Sequence, residues 1–349
     1  MATVDVTVLG AGVFGLSVAF ACAKRGAAVR VIDPNGIASG ASGGLVGALA
    51  PHVPEQWNAK KEFQFVSLVA ASDFWSEVAE LSGKDAGYLR SGRLQPLADD
   101  AAIELARARE ISANDLWQGK AQWRLVKAES LGNWAPQSGT GWLVHDTLTA
   151  RIHPRNATRA LAHAFCSIGG SIERAGKPEG KIVEATGFKG LVEMSQDLGR
   201  SIGNGVKGQA ALLKFDAAEQ PQLFADALHI VPHSDGTVAI GSTSEREFVD
   251  ATSTDAQLDD VIERARRAFP VLANAPVLER WAAVRPRARS RAPMLGFHPT
   301  RQGRFVANGG FKIGFGMAPM VGEVMADFVL DGRDTIPDDF RPEASLPRG

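Results

Sequence analysis

VDVTVLGAGVFGLSVAF, residues 4–20, and the VRVID that follows at 29–33 decide the fold of this chain. Residues 4–9 form an apolar-rich run of strand length, the pattern of a strand buried in a parallel sheet. Residues 14–25 carry Leu16, Ala19, Phe20 and Ala23 at helical spacing, and Gly26 stops that helix. Val29–Ile32 predicts a second parallel strand. Strand, helix and strand in this order predict a βαβ unit and hence a parallel sheet. Gly10 permits the tight turn, Gly12 lets the backbone approach a pyrophosphate, and Gly15 lets the helix pack closely on the strand. Val13 and Phe14 open the helix, whose free N–H groups and positive dipole end suit phosphate. Asp33 ends the second strand, where a carboxylate can accept hydrogen bonds from ribose hydroxyls. These residues specify a dinucleotide without separating FAD from NAD.

Working outward, GIASGASGGLVGALA at 36–50 has the composition of a linker, but Leu45, Val46 and Leu49 are interleaved in it and predict packing. Residues 61–82 predict a helix with Phe63, Val66, Val69, Phe74 and Val78 as its apolar stripe. Residues 88–90 and 93–97 predict strands, 99–113 an amphipathic helix, 156–168 another helix, and 182–187 a buried strand ending in glycine. Residues 208–249 predict antiparallel strands turning at Ser234-Asp235-Gly236, and 254–269 a charged helix ended by Pro270. A last strand starts at Val306, followed by a glycine-rich turn and a helix from Pro319 to Leu330. Parallel βα units at both ends with antiparallel strands between predict an α/β protein in which a sheet-rich domain is inserted into a nucleotide domain. The expected division is 1–82, 151–208 and 284–349 for the nucleotide domain, and 83–150 and 209–283 for the substrate domain.

The 349 residues include 45% apolar and 22% charged residues with a net charge of -1, an ordinary globular composition. That balance sets up no long-range field for nucleic acid or an anionic membrane. Cys22 and Cys166 are the only cysteines, too few for a disulfide scaffold, and no Cys/His spacing suggests a metal. Both thiols are expected to be buried and structural. The N-terminus runs directly into a strand pattern with no leader, so the expected location is the cytoplasm.

SGASGG at Ser39–Gly44, following such a start, resembles the D-amino-acid oxidase and glycine oxidase superfamily. So do VANGGFKIGFGMAPMVGEVMADFVLDG at Val306–Gly332, the strand ending Ala185-Thr186-Gly187, HIVPHSDGTVAIGST at His229–Thr243, and WAAVRPRARSRAPMLG at Trp281–Gly296. These blocks cover nearly the whole chain in order. The resemblance implies a Rossmann-type FAD-binding domain with a parallel central sheet, plus an inserted α+β substrate domain with a mostly antiparallel sheet. It implies noncovalent FAD, because no cysteine stands where members with attached flavin place one. Ser39, Ala41, Ser42, Gly43 and Gly44 would wrap the pyrophosphate and flavin edge, with Thr186 and Gly187 nearby. Gly309, Gly310, Phe311, Lys312, Ile313 and Gly314 would approach the flavin pyrimidine end, the helix from Pro319 aiming its N-terminus there. Arg285 matches the position that pairs with a substrate carboxylate, a structural salt bridge being its alternative.

The chain also departs from the family. Gly310-Phe311-Lys312-Ile313 stands where oxidase members have His-Phe-Arg-Asn, and His229 stands where a tyrosine often contacts substrate. His52 is a further candidate, facing the flavin or lining the cleft, with a surface or capping role as the alternative. Arg287, Arg289 and Arg291 are expected on a solvated surface. The expected reaction is hydride transfer to flavin N5 from the C–H bond beside the nitrogen of a small amine or amino acid, with no strong protein base required. Oxygen or another acceptor would take the electrons, and a homo-oligomer is left open. Oxidation of a 2-hydroxy acid or of a modified tRNA base, and a non-catalytic flavin-binding subunit, are the alternative readings.

Overall fold

The computed structural model describes residues 4–346. Along the chain, β1 (Val6–Leu9), α1 (Val13–Lys24) and β2 (Val29–Ile32) form the expected βαβ unit, followed by β3 (Ala48–Leu49) and α2 (Ala59–Ser82). Next come β4 (Arg93–Pro96), α3 (Asp100–Leu116), β5 (Trp123–Lys127), β6 (Trp142–Asp146) and β7 (Ala150–Arg151). The chain returns with α4 (Pro154–Ser167), β8 (Ser171–Glu173), β9 (Lys181–Glu184) and α5 (Gly187–Asp197). The long β10 (Gly203–Lys214) leads to β11 (Gln222–Ala225), β12 (Leu228–Pro232), β13 (Thr237–Gly241) and α6 (Ala256–Ala268). Last are β14 (Val277–Ala288), β15 (Met294–Phe297), β16 (Arg304–Asn308) and α7 (Gly314–Ala326).

Two large sheets result. The first has the order β15-β16-β9-β1-β2-β8 and is parallel apart from β15. The second, β14-β10-β13-β12-β11-β4-β6-β5, is antiparallel except between β4 and β11. The mixed α/β class with one parallel and one mostly antiparallel sheet is as expected. The expected domain cuts at 208/209 and 283/284 fall inside β10 and β14. These strands pair from Gly203↔Ala288 to Leu213↔Val277, with one register shift after Leu212, and belong whole to the second sheet.

Helices α1, α2, α4 and α7 pack together beside the first sheet, and α6 covers the second through Leu258, Val261, Ile262 and Ala265. The stripe of α2 differs from the expected one. Val66 is 38% exposed, whereas Leu68, Ala71, Trp75 and Val78 are buried, because their 3- and 4-residue steps keep them on one face. Helix α7 begins at Gly314, not at Pro319, which lies inside it. The missing proline N–H forfeits one backbone bond, and burial on nearly every side holds the helix together. At its centre a Cβ on Gly322 would sit 2.7 Å from the Ser17 carbonyl oxygen, so α7 meets α1 at backbone distance. Residues 88–90 make only a bridge, Leu89 to Arg151. The expected packing of 36–50 holds: Leu45 and Leu49 are buried. Cys22 is buried, and burial pushes its thiol up to about 12, but Cys166 is exposed, on the outer side of α4. No helix among the described residues is long and apolar enough to cross a membrane.

Candidate active site

A cavity of about 520 Å³ lies between the two sheets, in the size range of small-molecule sites. Gly12, Val13, Phe14 and Asp33 line one part, with Ser39, Ala41, Ser42 and Gly44 from the loop after β2. Thr186 and Gly187 follow β9, and Gly309, Gly310, Phe311, Lys312 and Gly314 follow β16. Segments near residues 12, 40, 186 and 310 therefore converge on one space. Gly10, Gly15, Gly43 and Ile313 do not line it. The first three make the turns possible: a Cβ on Gly10 would lie 2.4 Å from the Ala185 oxygen, on Gly15 2.0 Å from the Gly10 oxygen, and on Gly43 2.1 Å from the Ala38 oxygen. Ile313 is the residue from which α7 starts.

The nucleotide end fits a dinucleotide. Gly12 caps α1 with no side-chain hydrogen bond, and the Val13 amide beside it donates to Ser42 Oγ at 3.0 Å. A Cβ on Gly40 or Gly187 would meet nothing within 4 Å, which leaves backbone open to a ligand. Asp33 is fixed: Oδ2 accepts from the Ala11 amide at 2.8 Å and Oδ1 from the Asn35 amide at 2.9 Å. Its edge on the cavity is where ribose hydroxyls can be held. Two residues that sequence reasoning passed over secure the loop, Thr158 Oγ1 donating to the Ser42 carbonyl and Arg155 Nε to the Gly43 carbonyl. Their signal was the block ARIHPRNATRALAHAF at 150–165, where both project from α4.

The opposite end is cationic. Arg285 projects from β14; Nη1 donates to Ser242 Oγ at 2.8 Å and Nη2 to the Thr243 carbonyl at 2.7 Å. Its Nε is buried without a partner, and among the described residues it has no carboxylate within ion-pair distance. The salt-bridge alternative for Arg285 therefore loses its partner. Burial pulls its guanidinium down to about 10, with Glu245 pulling the other way, so it stays charged at neutral pH. Gly208 makes the room: a Cβ there would lie 2.1 Å from Nη2. Behind it Glu245 is occupied by Lys207 at 3.5 Å and by Gln209 at 3.1 Å.

The Phe311 ring stands among Arg285, Arg287 and Lys312, whose charged groups lie 5.9, 5.6 and 5.7 Å from its centroid. Arg287 is thus half-buried against the site instead of on a solvated surface, because it shares a face of β14 with Arg285; Arg289 and Arg291 are exposed as expected. Burial, then Arg285 and Arg287, lower the Lys312 ammonium from its ordinary range. His229 lines the cavity with its ring 4.8 Å from Phe224. Burial, then Arg93 and Lys312, push it down to about 3, so it is neutral at physiological pH. His52 does not line the cavity. Its backbone amide and Nδ1 both meet Gln64 Oε1, which ties it to α2 and removes it from the reacting end. Among the described residues Asp33 is the one acidic residue lining the cavity, and neither cysteine reaches it.

A dinucleotide cradle gathered from segments near residues 12, 40, 186 and 310 faces a cationic pocket on the second sheet, the arrangement of a dinucleotide-binding oxidoreductase. The FAD dependent oxidoreductase family model matches residues 5–328, and the chain belongs to that family. Its cofactor is FAD. Glycine oxidase from Geobacillus kaustophilus is 26% identical, over 93% of this chain and 92% of that protein. Glycine oxidase from Pseudomonas putida is also 26% identical, over 98% of this chain and 99% of its own length. Among solved structures, glycine oxidase from Geobacillus kaustophilus superposes with a TM-score of 0.84 at 22% identity, covering 97% of each chain. Iminodiacetate oxidase from Chelativorans sp. BNC1 gives 0.83 at 21% identity, covering 97% of this chain and 99% of that one.

Proposed function

We propose that this chain oxidises the C–N bond of a small carboxylated amine or amino acid. The observation that carries the reading is Arg285, a largely buried guanidinium held by Ser242 and Thr243 with no carboxylate of its own among the described residues, facing the same cavity as the nucleotide cradle. A buried cation without a counter-ion is costly, and a substrate carboxylate supplies one in two-point geometry. Relatives named glycine oxidase support the same class.

Bound FAD supplies the two-electron acceptor that takes the hydride from the carbon beside nitrogen. The protein's residues do the positioning. Arg285 and Lys312 hold the anionic end, which fixes the reacting carbon and makes the step effectively unimolecular. With no carboxylate at this end, the pocket favours the amine in its neutral form, whose lone pair assists the departure of hydride. Neutral His229 adds no positive charge against that amine. Phe311 and Trp281 wall the site with apolar surface. Water then hydrolyses the imine to a carbonyl acid and a free amine or ammonia. Dioxygen is the proposed final acceptor.

The test is anaerobic bleaching of the flavin absorbance by glycine, N-methylglycine, other amino acids, simple amines and 2-hydroxy acids. Amino acids or their N-alkyl forms should bleach it, with peroxide formed once air is admitted. Bleaching by 2-hydroxy acids alone would overturn the amine assignment.

A further inference from the structure

The substrate end of the cavity does not close at Lys312. An open depression on the surface, about 640 Å³, adjoins it, and Ala227, Ser242 and Lys312 line both. Its remaining walls come from the start of α6 and the segment after β13, including Thr243, Ser244, Gln257 and Asp260. The neck between the two is held in place. Asp226 and Ala227 form the tight β11–β12 turn, both at positive φ of 49° and 57°, and place only the Ala227 methyl group there. Arg264 on α6 grips that turn, Nε donating to Asp226 Oδ2 at 2.8 Å and a second nitrogen to the Asp226 carbonyl. On the other side Ser242 is fixed by Arg285.

Apart from Lys312 at the neck, the polar groups of this second space are uncharged or already matched. Arg264 pairs with Asp226 and, at 3.7 Å, with Asp260. Thr243 Oγ1 is engaged with Glu245. Ser244 Oγ has no hydrogen bond among the described residues, and the Gln257 side chain has only a 3.4 Å contact to Asp255. Hydroxyl and amide groups are therefore left free beside the carboxylate anchor.

We propose that this compartment is a substrate subsite for an uncharged polar arm. The preferred substrates are then carboxylated amines that bear a hydroxyl or amide a few bonds from the reacting C–N bond, on nitrogen or on the α-carbon, and glycine itself underfills the site. The inference rests on the amine-oxidising reading above. A hydroxyl reaching Ser244 or Gln257 replaces their water with a hydrogen bond of its own, whereas an apolar arm of equal size displaces that water without replacing it.

The experiment compares isosteric pairs on the FAD-loaded protein: N-(2-hydroxyethyl)glycine against N-propylglycine, and homoserine against norvaline. The expected ratio of kcat/KM, hydroxyl over methyl, is roughly tenfold or more in one pair. Gln257 and Ser244 are both exposed, so a Gln257→Leu, Ser244→Ala double variant is not expected to disturb the core. In it the ratio should fall toward one. A wild-type ratio within twofold in both pairs, with glycine still bleaching the flavin, overturns the subsite alone. So does a variant that slows both members of a pair equally, which would mark a passage. Failure of every amine to bleach the flavin overturns the subsite and the amine reading together.

Discussion

Arg285 depends on a residue that has no side chain. A methyl group on Gly208 would stand 2.1 Å from the guanidinium, so Gly208→Ala must push the anchor off its hydrogen bonds to Ser242 and Thr243. The expected outcome is a KM for carboxylated amines raised about tenfold or more, while the flavin spectrum and FAD content are retained. An unchanged KM would remove Arg285 from substrate binding. Lys312 makes a second residue-scale prediction. Its ammonium is lowered by burial and by Arg285 and Arg287, and only the protonated form attracts a carboxylate. Its contribution is present at low pH and is lost as pH rises through the lowered pKa. The kcat/KM profile should show a basic limb below the ordinary lysine value of about 10.4. Lys312→Arg should move that limb out of the accessible range; a limb that stays put belongs to another group.

Elements were legible where local chemistry alone decides them. The glycines after β1, the apolar β9 and the periodicity of α4 and α6 all predicted their elements close to the observed bounds. Misreadings came where tertiary contacts decide. Pro319 reads as a helix start, yet α7 is already five residues long there because α1 and α2 enclose it. Helix α5 escaped detection because its buried side comprises only Gly190, Leu191 and Met194. Gly10, Gly12 and Gly15 were readable from spacing, whereas the glycines at 43–44 and 309–314 were legible only through the family resemblance. The place of Arg287, the removal of His52 and the adjoining depression depend on strand pairing and helix packing that no local pattern records.

One ionic cluster fastens the β15–β16 hairpin to its neighbour. Glu184 at the end of β9 receives Arg301 at 2.7 Å and Arg304 at 2.8 Å, with His298 at 3.4 Å. Burial alone would raise this carboxyl, but the hydrogen bonds from Arg304 and Arg301, with the His298 ring alongside, prevail and hold it at about 2. The folded pKa is depressed, so the stabilisation is present above an unfolded value of about 4.3 and is lost as pH falls toward 2. Both arginines are about a third exposed, so Glu184→Gln should cost about 2 kcal/mol near neutrality, less than a fully buried pair. Denaturant midpoints at pH 7 and pH 3 check this: the gap between wild type and variant should shrink at the lower pH.

At the scale of the whole molecule, β14 is the edge strand of the second sheet, and it is the strand that reaches the nucleotide cradle. β14 presents Arg285 to the cavity and, at Arg287, bridges to Gly310 in the nucleotide cradle. On the reading of Arg285 as substrate anchor, one strand carries that anchor and also touches the cradle at Gly310.

The order of the parallel sheet has a consequence for biosynthesis. β9 sits between β1 and β16, and the cavity takes its walls from Gly12 as well as from Gly314. A chain emerging from the ribosome cannot assemble that cradle until nearly all of it has been translated. Capture of FAD therefore belongs to the last stage of maturation, and until then the face of α1 that meets α7 must wait, exposed, for a helix about three hundred residues downstream.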